Sequence, residues 1–125
     1  MAVKKTSSNY VIQFFQACHY SQLGIVYVYK NETSFRRNLF FWLISLALSI
    51  YMGLDFLHFW ALNLPFIAAL AIECVNTAIE SIVDEMEVEN ILMGAAKDCG
   101  SAAVAIMLLV GLFMWLHYLY LFILA

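Results

Sequence analysis

A chain of 125 residues with 65% hydrophobic and only 12% charged side chains departs from the soluble pattern of about 45–50% apolar and 25% charged residues. Its net charge of −3 excludes binding to nucleic acid through a basic surface. Its length bounds it to a single domain, residues 1–125. The expected fold class is an all-α membrane protein, with three transmembrane helices after an N-terminal amphipathic surface helix.

Met1 to Asn9 is a polar leader without the apolar core of a cleavable signal peptide. The next segment, about 7–29, intersperses Gln13, Gln16, His19, Tyr20 and Gln22 with Ile12, Phe14, Phe15, Leu23 and Val26, as does a helix lying in the interface plane. A polar turn over 30–38 follows. Thr33 or Ser34 can cap the next helix there, and Arg36 and Arg37 can hold its start at the headgroups. Spans need about 20 mainly apolar residues, and three are expected at about 36–56, 59–86 and 97–124. Asp55 and His58 sit in the break between the first two. Pro65 can kink the second, its freed carbonyl finding a partner inside the bundle. In the third, Gly111 eases close packing, and Trp115, His117, Tyr118 and Tyr120 read as an interfacial aromatic group. Cys18, Cys74 and Cys99 have no metal spacing and read as reduced thiols.

Lys4, Lys5, Lys30, Arg36, Arg37 and Lys97 all fall on one side of these spans. The excess of basic residues marks the cytoplasmic side. A multi-pass protein of the bacterial inner membrane is expected, with its N-terminus cytoplasmic and its C-terminus on the far side.

The second span carries the chemistry. Glu73, Asn76, Thr77, Glu80 and Asp84 share an arc of about 100° on one helix face. They form a ladder of oxygen ligands about 16 Å long, while Val75, Ile79, Ile82 and Met86 keep the opposite face apolar. Glu80 to Glu89 can also be read as a solvated helix end. Glu73 cannot, because it lies deep behind Ile67 to Ile72, and a carboxylate within a membrane helix marks a function.

The chain has no GxxxxGK[ST] loop, no HRD or DFG element, no Ser-His-Asp set and no HExxH pair. It offers instead Glu32, Glu73, Glu80, Asp84, Asp98, Asn76 and Lys97 near the cytoplasmic surface. Carboxylates holding Mg²⁺, together with a lysine, can position and neutralise phosphates. A deeper carboxylate can take a proton from a lipid hydroxyl. The chemistry thus reaches metal-dependent transfer at an interface without naming the substrate.

The run Glu73-Cys-Val-Asn76-Thr-Ala-Ile-Glu80, then Asp84, then Ala96-Lys97-Asp98-Cys-Gly-Ser-Ala-Ala-Val104 resembles the signature of the prokaryotic diacylglycerol kinase family. Asn31-Glu32 and Phe35-Arg36 match its motif before the first span, and the resemblance runs from about Tyr20 to Trp115. It implies a homotrimer of three-span subunits that transfers the γ-phosphate of ATP to a lipid alcohol, taking diacylglycerol to phosphatidic acid. By the same resemblance Glu73 is the general base, and Glu32 and Glu80 hold Mg²⁺. Tyr20, Glu32, Asn76, Glu80, Asp84, Lys97 and Asp98 contact ATP. Gln13, Ala17, Ser21, Asn31, Phe35, Glu73, Ser101 and Trp115 contact the lipid.

Two departures stand out. Gln13 replaces an arginine frequent in the family, and the loop over 85–92 is shorter and more acidic, with Glu87 and Glu89 as weaker nucleotide contacts. An undecaprenol kinase shares the scaffold, although Tyr20-Ser21 with Gly24, and Gly100 to Val104, resemble the diacylglycerol branch more closely. A reading from another class is a non-enzymatic channel or transporter subunit with carboxylates lining a pore. One geometric expectation stands apart from the family. Two partner helices of so short a chain should not cover the ladder face, which leaves the site to be completed by a neighbouring subunit.

Overall fold

The computed structural model describes residues 10–86 and 90–124, so Glu87 and Glu89 lie outside the described residues. Within them the chain forms α1 (Tyr10–Asn31), α2 (Thr33–Tyr51), α3 (Phe56–Glu85) and α4 (Ile91–Leu124), and no strand. Among these residues α3 and α4 are long and apolar enough to cross a membrane. The first expected span does not meet the same measure. It starts earlier and stops at Tyr51 rather than 56, and Arg36, Arg37, Asn38, Ser45 and Ser49 dilute its apolar run.

The polar turn expected over 30–38 shrinks to one residue. Glu32, with an extended backbone (φ −104°, ψ 116°), is all that separates α1 from α2, and its side chain makes no capping hydrogen bond. Neither Thr33 nor Ser34 caps the helix, because both already lie within it. Arg36 does not stand free toward headgroups either. Its guanidinium donates to the carbonyls of Tyr29 (2.9 Å) and Lys30 (3.1 Å) and to Thr33 Oγ1 (2.9 Å). Those carbonyls belong to the last turn of α1, whose acceptors have no partner within the helix. One cation thus clamps the elbow from the next helix.

At the other end of α2 the chain reverses through Gly53, whose φ of 62° suits a residue without a Cβ. Asp55 then caps α3, accepting from the backbone N–H groups of Leu57 (3.0 Å) and His58 (3.2 Å). His58 is bound to the same carboxylate through Nδ1, so its presence answers to Asp55. That hydrogen bond, with the backbone donors, holds the Asp55 carboxyl below its usual range.

Helix α3 is central. It packs along α4 on one side and α2 on the other, and α1 touches α2 and α3. Apart from Val28, α1 is exposed throughout. Leu62, Phe66 and Trp115 form the apolar core, with Trp42, Met52, Leu54, Leu108, Met114 and Tyr118 against it. Gly111 lets α4 close onto Phe66, since a Cβ there would lie 2.8 Å from the ring.

The polarity of the bundle is inverted. Asn38, Ser45 and Ser49 of α2 and Asn63, Glu73, Asn76 and Thr77 of α3 are buried, while Val75, Ile82, Ile106, Phe113 and Phe122 face outward. An apolar exterior with polar groups turned inward suits a lipid surround, where a polar side chain finds partners only within the protein. The deep half of the ladder face, Glu73, Asn76 and Thr77, is therefore buried within the chain's own bundle, while Glu80 is half-buried and Asp84 exposed.

Candidate active site

Glu73 lies more than halfway along α3 and is only 4% exposed. A carboxylate taken out of water is costly unless hydrogen-bonded, and here both oxygens are engaged from α2. The Ser34 hydroxyl donates to Oε1, and the Asn38 amide donates to Oε2 across 3.3 Å. Ser34 and Asn38 are one helical turn apart, which brings their side chains to the same face.

One turn further along α3, Asn76 is 5% exposed and donates to Glu80 Oε1 at 2.8 Å. Its Oδ1 lies against Gly100 of α4, so close that a Cβ on that glycine would sit 1.9 Å from it. Any larger residue at 100 would occupy the space of the amide. Asp84 ends the ladder by accepting from Lys97 Nζ at 2.8 Å. This pair joins the C-terminal end of α3 to the N-terminal part of α4 at an exposed position, where an ion pair contributes little to stability.

Burial falls steadily along the face. Glu73, Asn76 and Thr77 are buried, Glu80 is half-buried, and Asp84 and Asp98 are exposed. A reactive group at the Glu73 end is screened from water, whereas a charged ligand can enter at the Asp84 end. This polar track runs from interior to surface within one chain.

Other expected site residues lie apart from the ladder. Tyr20 on α1 is 68% exposed. Ala17 and Ser21 line a shallow groove made of α1 residues, where the Ser21 hydroxyl donates to the Ala17 carbonyl at 2.9 Å. Gln13 is on the same helix and is also exposed. Asn31 turns back on its own helix, donating to the Tyr27 carbonyl at 2.8 Å. Glu32 is half-buried at the elbow, Phe35 is buried one turn into α2, and Ser101 is exposed on α4.

Trp115 is no interfacial anchor. It is buried, and its indole N–H donates to Ser45 Oγ at 2.8 Å. Ser45 in turn donates to the Leu62 carbonyl at 3.3 Å. This donor arrives near Pro65, though one residue beyond the Ala61 carbonyl that the proline frees. All three cysteines are free thiols. Among the described residues, no three His, Cys, Asp or Glu side chains converge as a metal cluster.

Ser34, Asn38 and Ser45 are polar partners inside the bundle, roles that neither a cap at Ser34 nor any motif predicts. The signal was present. Positions 34, 38, 45 and 49 are separated by four, seven and four residues, which places all of them on one stripe of a helix. A polar stripe along an apolar helix points to polar partners, which are Glu73 of the ladder for Ser34 and Asn38, and Asn63, Trp115 and the Leu62 carbonyl for Ser45 and Ser49.

Helices throughout the described residues, two of them of membrane length, and one carboxylate drawn into the interior fit a membrane protein with a buried acidic site. The sequence profile of prokaryotic diacylglycerol kinase matches residues 19–119. The diacylglycerol kinase of Helicobacter pylori (strain J99) is 34% identical over 108 residues, covering 86% of this chain and 84% of that protein. The diacylglycerol kinase of Haemophilus influenzae is 34% identical over 97 residues, covering 77% and 82%. That of Escherichia coli (strain K12) is 32% identical over 101 residues, covering 80% and 83%. The chain belongs to the prokaryotic diacylglycerol kinase family, and is therefore a membrane-associated member of a family of lipid kinases.

Proposed function

We propose that this protein transfers the γ-phosphate of ATP to the primary hydroxyl of diacylglycerol, giving phosphatidic acid at the cytoplasmic surface of the bacterial inner membrane. The observation that carries the reading is the buried Glu73 carboxylate at the inner end of a polar track whose outer end is open. Glu73 accepts the proton of the lipid hydroxyl as the new P–O bond forms and ADP leaves. Asn76 orients Glu80 through its amide hydrogen bond. Lys97, Asp98, Asp84 and Tyr20 contact the nucleotide. Gln13, Ala17, Ser21, Asn31, Phe35, Ser101 and Trp115 belong to the lipid side of the site.

The donor set suits Mg²⁺. That ion is commonly bound by one or two carboxylates together with substrate phosphates, rather than by a cage made of protein alone. Glu80 accepts from Asn76 through Oε1, which leaves Oε2 for a cation; Glu32, at the α1–α2 elbow, is proposed as the second carboxylate. Bound there, Mg²⁺ supplies charge neutralisation on the transferring phosphoryl group.

The one-sided basic residues support a cytoplasmic N-terminus and a C-terminus on the far side, with α2 as a third span. The family resemblance and the extensive outward apolar surface support assembly as a homotrimer.

Label transfer from γ-labelled ATP to diacylglycerol and, separately, to undecaprenol tests the proposal in mixed micelles with Mg²⁺. Diacylglycerol should be the better acceptor, and Glu73→Gln should lose about 10²–10⁴-fold in turnover with MgATP affinity little changed. Preference for undecaprenol would move the protein to the other branch of the scaffold. ATP consumption independent of either lipid would reject lipid kinase activity.

A further inference from the structure

We propose that Ser34 and Asn38 of α2 are positioning residues, which hold the Glu73 carboxylate in the orientation needed to receive a proton. The inference rests on the reading of Glu73 as the base. It adds two residues that neither composition nor motif assigned.

Three observations carry it. First, the two donors approach different oxygens of one carboxylate, Ser34 at Oε1 and Asn38 at Oε2. A carboxylate held at one oxygen can still swing about that contact, but one held at both has its plane fixed. Second, no charged side chain contributes to this grip. The carboxylate is thus oriented by neutral dipoles alone.

Third, Asn38 is poorly placed if its purpose is stability. It is 0% exposed, and its Oδ1 has no hydrogen-bond partner among the described residues. A buried acceptor left unpaired costs free energy that an apolar side chain of similar size would avoid. The amide's other end makes one hydrogen bond, and that bond goes to Glu73.

The rate consequence follows from geometry. A base displaced by about 1 Å from the reacting proton can cost about 10²-fold. Removing one donor frees the carboxylate without removing it, so the loss should fall short of that for Glu73→Gln. The effect should appear in turnover and leave nucleotide binding unchanged, because Glu80 and Asn76 are bonded to each other rather than to Ser34 or Asn38.

The test uses the full chain in mixed micelles, measuring kcat, the KM for MgATP and the thermal midpoint for each variant. Ser34→Ala and Asn38→Leu should each lower kcat about 10–100-fold with the KM within about twofold. Asn38→Leu removes the unpaired Oδ1 but also a donor to buried Glu73, opposing effects on stability, so its thermal midpoint should move little while kcat falls, an outcome a purely structural role would not give. Ser34→Thr, which retains the hydroxyl, should recover most of the rate. In a Glu73→Asp background the shorter carboxylate no longer reaches the hydroxyl, so adding Ser34→Ala should cost less than about threefold. Parental kcat in both Ser34→Ala and Asn38→Leu, alongside an inactive Glu73→Gln, would overturn the positioning role and leave the base role standing. An active Glu73→Gln would overturn the base role itself, and this inference with it. Losses in kcat that track losses in thermal midpoint would assign Ser34 and Asn38 to packing. If Asn38→Leu fails to assemble, Ser34→Ala and Ser34→Thr decide the matter between them.

Discussion

Gly100→Ala probes the closest approach in the site. The added Cβ would lie 1.9 Å from Asn76 Oδ1, 2.9 Å from Cγ and 3.4 Å from Cβ. Ordinary contact begins at about 3.4 Å, so the amide oxygen must retreat by roughly 1.5 Å or the helices must part. Parting α3 from α4 resembles other overpacked cores, at about 1–3 kcal/mol. Retreat of the amide breaks the 2.8 Å bond to Glu80, and a hydrogen bond to a charged group is worth about 1.5–3 kcal/mol. These costs are alternatives and do not add. Either the thermal midpoint falls, or Glu80 loses its orienting partner and the KM for MgATP rises several-fold. Titrating MgATP in a lipid phosphorylation assay and unfolding the same sample in detergent distinguishes the two routes. Gly94→Ala is the control on the same helix, since nothing lies within 4 Å of its Cβ position. It should unfold no earlier than the parent, because Ala is the better helix former by about 1 kcal/mol. Parental KM and parental midpoint in Gly100→Ala would refute the close packing of Asn76 on α4.

Glu80→Gln and Glu32→Gln should raise the Mg²⁺ and MgATP concentrations needed for half-maximal activity, with partial recovery at high Mg²⁺; an unchanged Mg²⁺ titration would remove both from the metal. Trp115→Phe deletes the 2.8 Å bond to Ser45 and should cost about 1 kcal/mol in an unfolding titration. Asp55→Ala should lower the thermal midpoint at neutral pH by removing the α3 cap. The folded-state pKa of Asp55 is lowered, so its stabilisation is present above the unfolded value and is lost as pH falls through the folded one. The midpoints of parent and Asp55→Ala should therefore converge at acid pH, and a difference that persists there would place the effect elsewhere than in this carboxylate.

The ladder was legible because residues three and four apart share a helix face, and because carboxylates within an apolar helix turn inward. The sequence also showed which residues stand on that face and which on the apolar one. It could not show what they touch. Ser34 is a hydroxyl near a helix start, where capping is the commonest use of such a residue. Only the extended backbone of Glu32 moves the helix boundary back and frees Ser34 for Glu73. Arg36 was misread for the same reason: a break of one residue puts the end of α1 within its reach, whereas a longer turn would not. Trp115 matched the expected aromatic belt by composition, but the small Ser45 opposite it opens a place inside the bundle. The helix ends were least legible, since α4 begins at Ile91 rather than near 97.

The buried polar residues of α3 fall into two clusters with the same vocabulary and different grammar. Toward the Asp55 end, donors and acceptors alternate among three helices. Asn63 of α3 donates to Ser49 of α2 at 2.9 Å, Trp115 of α4 donates to Ser45 of α2 at 2.8 Å, and Ser45 returns a bond to the Leu62 carbonyl of α3. Without a hydrophobic force between helices in lipid, such cross-links and close packing are what hold a bundle together. Toward the other end, Ser34 and Asn38 converge on one acidic group, and Asn76 bonds Glu80 on its own helix. The Asn63–Ser49 cross-link would be replaceable by well-packed apolar side chains with little loss of function. The second cluster gathers the buried Glu73 and the half-buried Glu80 along one face with no cation against Glu73, an arrangement that packing alone gives no reason to retain. On the proposed function, a phosphate and its counter-ion entering from the exposed end would supply the charges that the acidic face lacks in the chain alone, and so offset its stability cost.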